Sequence, residues 1–340
     1  MKKIVVDCFG GDRSPAAQVA GAVQASQAID DVFLILSGDE TQIKAELDKI
    51  SSADLGRFEI LHAPDVVSPG DKPTDAIRMK KDSSLMKAVS LLRDDDTVAG
   101  MVSCGSSGAV VASGTLRIGR LRGVQRPAFC PILPTMTGGV VGVCDSGANV
   151  SCTAEYLQQF AVMGSLYLKN VYGIESPRVA LLNVGVEAEK GDDLHKEAYA
   201  LLSETEDLNF CGNMESRDFL SGQFDLVVSD GFSGNVLIKS TEGTALELLK
   251  KIKKDIYSRF VYKMGALLMK KMFMEEKSFM DYQKYGGSVL LGTKKIIIKG
   301  HGSSKDLAVA KCIEQAVRME KSCLNEQTEE WICRLPSAKC

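Results

Sequence analysis

Short, mostly apolar runs recur along this chain and alternate with segments of helical character. Strands that are apolar along their whole length are typical of parallel sheets that are buried on both faces. Alternation with helices favours the same class of fold. The sequence therefore predicts an α/β fold with a mostly parallel central sheet and helices on both faces. The candidate strands are Ile4–Cys8, Val32–Leu36, Phe58–Leu61, Thr97–Val102, Ala128–Leu133, Val140–Cys144, Val179–Val184 and Leu226–Val228.

Local patterns refine this prediction. The glycine pair in Thr137–Gly139 separates two of the apolar runs, which predicts a hairpin and therefore an antiparallel part of the sheet. Apolar residues at helical spacing predict helices over about 153–171, 192–203 and 234–254. There is no internal repeat and no linker, so we expect a single domain over residues 1–340, with a division into two lobes left open.

Composition excludes several classes of protein. The 340 residues are 45% hydrophobic and 25% charged, which is the ordinary mixture of a globular chain. A formal net charge of −3 provides no basic surplus for a general nucleic-acid binder, so no nucleic-acid partner is expected. No apolar run approaches the roughly 18 residues that a membrane-spanning helix needs.

Ten cysteines are present, and none of them forms a C-x-x-C pair. Most lie among apolar or glycine residues, so we expect reduced thiols that behave as small buried hydrophobes. That use fits a reducing cytosol. The N-terminal lysines Lys2 and Lys3 precede a short apolar run that ends at Asp7, which is a strand pattern and not a signal peptide. The sequence predicts a cytoplasmic protein.

The sequence has five polar, glycine-rich loops. Four of them follow predicted strands, and the fifth precedes the last predicted helix. In open α/β sheets, ligands bind beyond the carboxyl ends of the strands. Backbone N–H groups and hydroxyls in such loops can donate to an anion, and one loop carries a single cation, Lys190. The alternative is that the glycines form tight turns and that the Asp and Asn residues are helix caps. The loops are Ser103–Ala109, Asp145–Asn149, Asn183–Gly191, Asp230–Asn235 and His301–Ser304.

Familiar catalytic motifs are absent from the sequence. It has no phosphate-binding G-x-x-x-x-G-K-[ST] loop, no dinucleotide fingerprint and no G-x-S-x-G elbow. The histidines His62, His195 and His301 lack the spacing of a metal site, so we expect neither a metal nor a cofactor. A cleft that binds an anion but contains no protein nucleophile suggests that the anion itself reacts.

Twelve motifs together resemble the bacterial phosphate acyltransferase (PlsX) family. They occur in order and at family spacing from residue 1 to about 320, which leaves residues 321–340 as a tail outside the resemblance. The motifs are Asp7–Asp12, Lys80–Ser84, Ser103–Ala109, Arg126–Pro127, Asp145–Asn149, Leu181–Gly185, Lys190–Gly191, Gly212–Asn213, Arg217–Asp218, Asp230–Asn235, Glu242–Gly243 and His301–Ser304.

The resemblance implies an isocitrate/isopropylmalate dehydrogenase-like α/β fold, shared with phosphotransacetylases. It implies transfer of a long-chain acyl group from acyl-ACP to inorganic phosphate, which gives acyl phosphate for phospholipid synthesis. The partners would be acyl-ACP, inorganic phosphate, free acyl carrier protein and an anionic membrane surface. The protein would be a homodimer on the inner face of the cell membrane.

The resemblance also suggests roles for individual residues. Lys190 would bind phosphate and offset charge in the transition state, and Asn235 would donate to phosphate or to the thioester oxygen. Asn149 and Asn183 are second contributors. The residues expected to line the pocket are Gly105, Ser106, Ser107, Gly108, His301, Ser303 and Ser304.

Two loops differ from the family pattern. The family's pocket residues are therefore a less direct guide to this chain than the family's reaction. Ser106-Ser107 stands where the family more often has Asn-Thr, and Val186–Glu189 replaces the usual Thr-Glu-Glu before the lysine. Cys104 lies in the first of these loops, which raises a reactive thiol as a hypothesis.

A basic amphipathic segment is predicted over residues 250–280 as a projecting helical hairpin. Residues 250–277 hold nine Lys/Arg and three Asp/Glu, a local excess of six positive charges. Such a helix can lie on an anionic leaflet. The alternatives are packing on its own body or on a dimer partner, and the basic surface could also receive the acidic carrier protein. The expected contacts are Phe260, Met264, Leu267, Leu268, Lys253, Lys254 and Lys263.

Two other functions stay open from the sequence. A phosphotransacetylase-like enzyme that uses a short acyl-CoA would need the same anion cleft, but the amphipathic segment favours a long-chain substrate. A non-catalytic scaffold at the membrane would need neither Lys190 nor Asn235.

Overall fold

The computed structural model describes residues 1–68, 70–279, 282–336, 338 and 340, without the side chains of 276–279 and 282–283. Within these residues the strands form two sheets. The strands are β1 (Lys2–Asp7), β2 (Val32–Gly38), β3 (Phe58–His62), β4 (Val98–Ser103), β5 (Ala128–Cys130), β6 (Ile132–Pro134), β7 (Val140–Cys144), β8 (Val179–Asn183), β9 (Phe210–Glu215), β10 (Leu226–Val228), β11 (Ser288–Leu291) and β12 (Ile296–Lys299).

The larger sheet has the order β3-β2-β1-β4-β12-β11-β5 in the described chain. The strands from β3 to β12 in this order run parallel, and β11 is antiparallel to both of its neighbours. Val5 of β1 lies opposite Ile35 of β2 and Met101 of β4, which sets the register at the centre of the sheet. The smaller sheet has the order β6-β7-β10-β8-β9 and is parallel except for the β6–β7 pair.

Helices connect the strands and cover both sheets. They are α1 (Ala16–Ala28), α2 (Glu40–Leu47), α3 (Pro73–Met79), α4 (Ser84–Asp94), α5 (Ser107–Ser113), α6 (Ala154–Tyr172), α7 (Asp193–Ser203), α8 (Gly231–Ser258), α9 (Phe260–Leu268), α10 (Lys270–Phe279), α11 (Asp306–Glu320) and α12 (Leu324–Arg334). Single turns of tighter or wider helix cover Leu55–Arg57, Gly114–Ile118, Ser216–Asp218 and Tyr282–Tyr285.

Alternation along β1 shows how the larger sheet is buried. Ile4 and Val6 pack in one apolar cluster with residues of α1 and α11, whereas Val5 packs in a second cluster with residues of α4 and α5. The first cluster continues into the smaller sheet through α6, so one core joins the two sheets. On the opposite face of the smaller sheet, Val143 and Val227 pack with Leu237 of α8. The predicted fold class is confirmed, with its strands divided between two sheets.

The predicted strand Ala128–Leu133 is in fact two strands in different sheets. β5 pairs with β11, and β6 forms the predicted hairpin with β7. Pro131 separates them, and because proline has no N–H to donate, a sheet ladder ends readily there. The chain therefore crosses from one sheet to the other at this residue.

The C-terminal tail corrects one expectation about the cysteines. Cys333 and Cys340 form a disulfide, because the chain after α12 turns back and brings their Cα atoms within 5.8 Å. Thiols remain free at the other cysteines of the described chain, several of them buried as predicted, including Cys8, Cys130 and Cys312. Residues 337 and 339 of the predicted tail and residue 280 of the amphipathic segment lie outside the described residues.

Candidate active site

Asp145, which directly follows β7, organises the junction between the two sheets. Its Oδ1 accepts hydrogen bonds from the backbone N–H groups of Phe129, Ser146 and Ala148 at 2.9, 2.6 and 3.1 Å. Its Oδ2 accepts from the backbone N–H of Asn149 at 2.6 Å. Burial raises the pKa of this carboxyl, and the amides that donate to it oppose that rise. The carboxylate therefore connects β5 of the larger sheet to a loop of the smaller one.

The N-terminus of α8 packs closely on the same residue. A Cβ added at Gly234 would lie 2.1 Å from the carbonyl oxygen of Asp145, and one added at Gly231 would lie 2.7 Å from Oδ2. Asp230 caps the helix by accepting from the N–H groups of Phe232 and Ser233, both at 2.9 Å. Glycine at these positions allows α8 to approach the junction, and this approach sets the position of Asn235 one turn into the helix.

A cleft of about 390 Å³ lies where these elements meet. Four of the five predicted loop regions contribute to its lining, as expected for loops at the carboxyl ends of strands. Its polar lining residues include Ser107, Asn235, Lys239, Lys299, His301 and Ser304. We call this site the cleft.

His301 and Lys239 form a polar pair on one side of the cleft. Lys239 Nζ lies 3.2 Å from Nε2 of His301, and Ser303 Oγ lies 2.7 Å from Nδ1. Partial burial, followed by the charge of Lys239, lowers the pKa of His301. Both effects favour the neutral imidazole. Glu242, one turn further along α8, lies 3.6 Å from Lys239 as an ion pair.

Two lysines of the cleft lining, Lys239 of α8 and Lys299 at the end of β12, were not predicted from the sequence. Lys299 is the buried one of the two. Its ammonium donates to the carbonyl oxygen of Gly300. Burial lowers the pKa of Lys299, while Cys104, Cys312 and Asp7 oppose this effect. The signal in the sequence was a charged residue at the carboxyl end of an apolar strand, immediately before the Gly300-His301 loop.

The loop that carries Lys190 does not contribute to the lining of the cleft. Asn183 Nδ2 donates to the carbonyl oxygen of Lys190 at 3.1 Å, and Asn213 Nδ2 donates to that of Glu187 at 2.7 Å. These amides hold the loop so that the side chain of Lys190 is exposed. Within the described part of the chain, the Lys190 ammonium has no ion-pair partner. The structure does not bring Lys190 into the lining of the cleft with Asn235.

A larger apolar groove of about 1110 Å³ lies on the other side of α8. Asn183 and Gly191 line it at the Lys190 loop, and its apolar lining includes Leu182, Phe219, Leu220, Phe232, Val236 and Leu248. The first turns of α8 therefore separate the cleft from the apolar groove, with Asn235 and Lys239 on one side and Phe232 and Val236 on the other.

Several predicted pocket residues instead hold loops in place. Asn149 donates through Nδ2 to the carbonyl of Pro127 at 2.8 Å and to Asp145 at 3.0 Å, away from the cleft lining. Gly105 donates its N–H to Ser103 Oγ at 3.1 Å. A Cβ at Gly108 would lie 2.7 Å from Pro73. Neither glycine lines the cleft, and the same is true of Ser106 and Ser303.

Cys104 does not have the environment of a reactive thiol. It is 2% exposed, and burial raises its pKa. Because the thiolate is the reactive form, both properties oppose the hypothesis of a reactive cysteine in this loop.

The amphipathic segment comprises the distal part of α8 with α9 and α10. No described side chain of α9 is buried, and Phe260, Met264, Leu267 and Leu268 are all exposed, Leu268 by 87%. Lys253, Lys254 and Lys263 are exposed as well. Across the described residues, no helix combines the length and the apolar character that crossing a membrane would require.

The sequence and the fold are both similar to those of known proteins. A family model described as "Fatty acid synthesis protein" matches residues 2–327. The chain belongs to this family. The phosphate acyltransferase of Clostridium botulinum (strain ATCC 19397 / Type A) is 43% identical over 329 residues, which cover 97% of this chain and 96% of the relative. The phosphate acyltransferase of Bacillus subtilis (strain 168) is 41% identical over 317 residues, which cover 93% of this chain and 94% of the relative.

Solved structures show the same fold at low sequence identity. A branched-chain phosphotransacylase from Enterococcus faecalis V583 has a TM-score of 0.60 at 14% identity and covers 95% of this chain and 100% of its own. A phosphotransacetylase from Streptococcus pyogenes has a TM-score of 0.59 at 16% identity and covers 94% of this chain and 93% of its own. The predicted membership of the phosphate acyltransferase (PlsX) family and the phosphotransacetylase-like α/β fold are confirmed.

The role of Asp145 leads to a stability prediction. In the wild type, backbone N–H groups donate to the Asp145 carboxylate. In Asp145→Asn an amide NH₂ would replace one carboxylate oxygen, so buried N–H donors would lose their acceptor. The free energy of unfolding should fall by roughly 2–3 kcal/mol in urea denaturation. Asp48→Asn, at an exposed helix end, is the control and should change it by less than about 0.5 kcal/mol. Equal effects of the two substitutions would contradict the role given to Asp145.

Proposed function

We propose that this chain transfers a long-chain acyl group from acyl-ACP to inorganic phosphate and releases acyl phosphate. The observation that carries the proposal is the arrangement on the two sides of α8. One side has a polar cleft with two lysines and several hydrogen-bond donors, and the other has a large apolar groove. An anionic acceptor suits the cleft and an acyl chain suits the groove. The names of the curated relatives support the same chemistry.

The proposed reaction needs no protein nucleophile. One phosphate oxygen attacks the carbonyl carbon of the thioester, so that a C–O bond forms while the C–S bond breaks. The electron pair leaves with sulfur, and the thiolate of the carrier's prosthetic group is then protonated from solvent. The protein contributes donors that fix phosphate and stabilise the developing oxyanion, an effect worth about 10²–10³-fold in rate for one donor.

We assign the oxyanion or phosphate contact to Asn235, because its side chain lines the cleft at the start of α8. Lys190 is proposed to offset negative charge from its loop beside the apolar groove. Asn183 supports this role because its amide holds the carbonyl of Lys190. Ser107, His301 and Ser304 are proposed to complete the polar lining.

The exposed amphipathic segment supports two further proposals about partners. Its basic residues and exposed apolar side chains are suited to an anionic leaflet, where each basic residue near the surface contributes about 1 kcal/mol. This would make the protein a peripheral protein of the inner face of the cell membrane. The same basic surface could receive the acidic carrier protein, and the apolar side chains could pack on a second copy in a homodimer.

Acyl phosphate formation tests the reaction and the two assigned residues. Purified full chain with palmitoyl-ACP and inorganic phosphate should give acyl phosphate, whereas acetyl-CoA should be a poor donor. Lys190→Ala and Asn235→Ala should each lower kcat/KM by about 100-fold or more, because each removes a charge or donor that acts on the transition state.

The control for these variants is Lys196→Ala on α7, an exposed lysine outside the cleft and the apolar groove. It should keep wild-type activity. Full activity of Lys190→Ala or Asn235→Ala would refute that residue's role. Preference for acetyl-CoA would favour the phosphotransacetylase-like alternative, and no product with any donor would favour a scaffold.

Membrane association is tested with vesicles that contain anionic phospholipid. The double variant Leu267→Glu and Leu268→Glu should lose binding, because it removes apolar side chains from α9 and adds negative charge. Leu55→Glu is the matched control, since Leu55 is a similarly exposed leucine outside the amphipathic segment, at 60% against 62% for Leu267. Unchanged vesicle binding by the double variant, or equal loss in both proteins, would contradict the proposal.

A further inference from the structure

The strongest feature that the proposed function leaves unexplained is the buried ammonium of Lys299. This lysine ends β12, which lies between β4 and β11 in the larger sheet, and it is 8% exposed. It follows the buried residues Ile297 and Ile298, yet it also lines the cleft. The sheet therefore holds a cation at the inner wall of the cleft, where solvent reaches it poorly.

The charge of Lys299 lacks a counter-ion within the described residues. Its Nζ donates to the carbonyl oxygen of Gly300, and no described carboxylate lies within ion-pair distance of it. Asp7 is buried and accepts from Ser103 Oγ at 2.7 Å, and burial raises the pKa of that carboxyl. Glu242, the acid in the cleft lining, lies 3.6 Å from Lys239. A buried charge without a partner is strongly unfavourable, which is why such groups often mark ligand sites.

The other polar groups of the cleft match a small oxyanion. Asn235 offers an amide, Ser107 and Ser304 offer hydroxyls, and Lys239 supplies a second positive charge. Phosphate has several oxygens and can accept from all of these donors at once, with the strongest bonds to ammonium groups. We propose that Lys299 is the primary cation of the acceptor-phosphate site, and that phosphate binds inside the cleft between Lys299 and Asn235. This inference rests on the proposed function and adds a binding residue to it.

The surroundings of Lys299 predict how phosphate binding depends on pH. The groups that face it are Asp7 of β1, Cys104 after β4, Cys312 of α11, Lys239 of α8, and the neighbouring His301. Burial lowers the pKa of Lys299, so its charge is lost at a lower pH than for an ordinary lysine. Phosphate affinity should therefore fall as pH rises through that lowered pKa.

The first experiment measures the stabilisation of the full chain by inorganic phosphate in thermal unfolding, with calorimetric titration of phosphate as a second readout. Lys299→Met keeps a similar length and removes the charge. We expect its phosphate Kd to rise by about 10- to 100-fold, the loss of one charge-assisted hydrogen bond, and the phosphate-dependent shift in Tm to disappear. Without phosphate it should be no less stable than wild type, because an unpartnered buried charge has been replaced by an apolar group.

Lys305→Met is the matched control, because Lys305 is exposed, lies six positions away and does not line the cleft. It should keep the wild-type Kd and Tm shift. Lys299→Arg keeps a positive charge, because a guanidinium stays protonated at the pH values at which a lysine loses its proton. If this variant folds, its phosphate affinity should not fall as pH rises, whereas that of the wild type should. An unchanged Kd in Lys299→Met would overturn the proposal. Lys299→Gln, which also removes the charge, replaces Lys299→Met in the same titration if that variant does not fold, and an unchanged Kd there would equally overturn the proposal.

The test of Lys299 and the test of the acyl-transfer reaction can fail independently of each other. If the wild type forms acyl phosphate while Lys299→Met keeps its phosphate Kd and its KM for phosphate, the role of Lys299 is wrong and the reaction stands. If the wild type forms no acyl phosphate from any donor, the proposed function is wrong, and the phosphate titrations still decide whether Lys299 binds the anion.

Discussion

The hydrogen bonds to one buried carboxylate, Asp145, determine how the two sheets meet. Its oxygens accept from the N–H of Phe129 in the larger sheet and from the loop after β7 in the smaller one. Gly231 and Gly234 let α8 pack directly on this residue. A buried carboxylate is tolerated because several amides donate to it. The cleft exists because β5, β7 and α8 converge on this one group.

The position of α8 then divides the site in two. Its first turns present Asn235 and Lys239 to a polar cleft and Phe232 and Val236 to an apolar groove. An acyl phosphate has an anionic head and an apolar chain. The cleft is polar and the groove is apolar, so the two sites match these two parts of the molecule in character. The helix continues without interruption to Ser258 and into the exposed amphipathic segment, so the proposed catalytic region and the proposed membrane surface share one element.

The fold class and much of the cleft could be predicted because loops at the carboxyl ends of parallel strands converge whatever their detailed contacts. Ser107, Asn235, His301 and Ser304 lie in loops predicted in this way, and all four line the cleft. Lys299 was missed because it ends an apolar strand, and its burial beside the cleft is visible only in three dimensions. Asn149 and Asn183 lie in the predicted loops, but side-chain direction decides whether an amide faces a ligand or holds a loop. That Lys190 does not line the cleft with Asn235 was not predictable, since it depends on the side of α8 that each loop faces.

The central proposal is that inorganic phosphate binds as the acceptor inside the cleft. Determining the structure of the full chain with inorganic phosphate tests it most directly. We expect a tetrahedral anion between the Lys299 ammonium and the Asn235 amide, within hydrogen-bond distance of both. Phosphate bound instead beside Lys190 in the apolar groove, with the cleft empty, would contradict it.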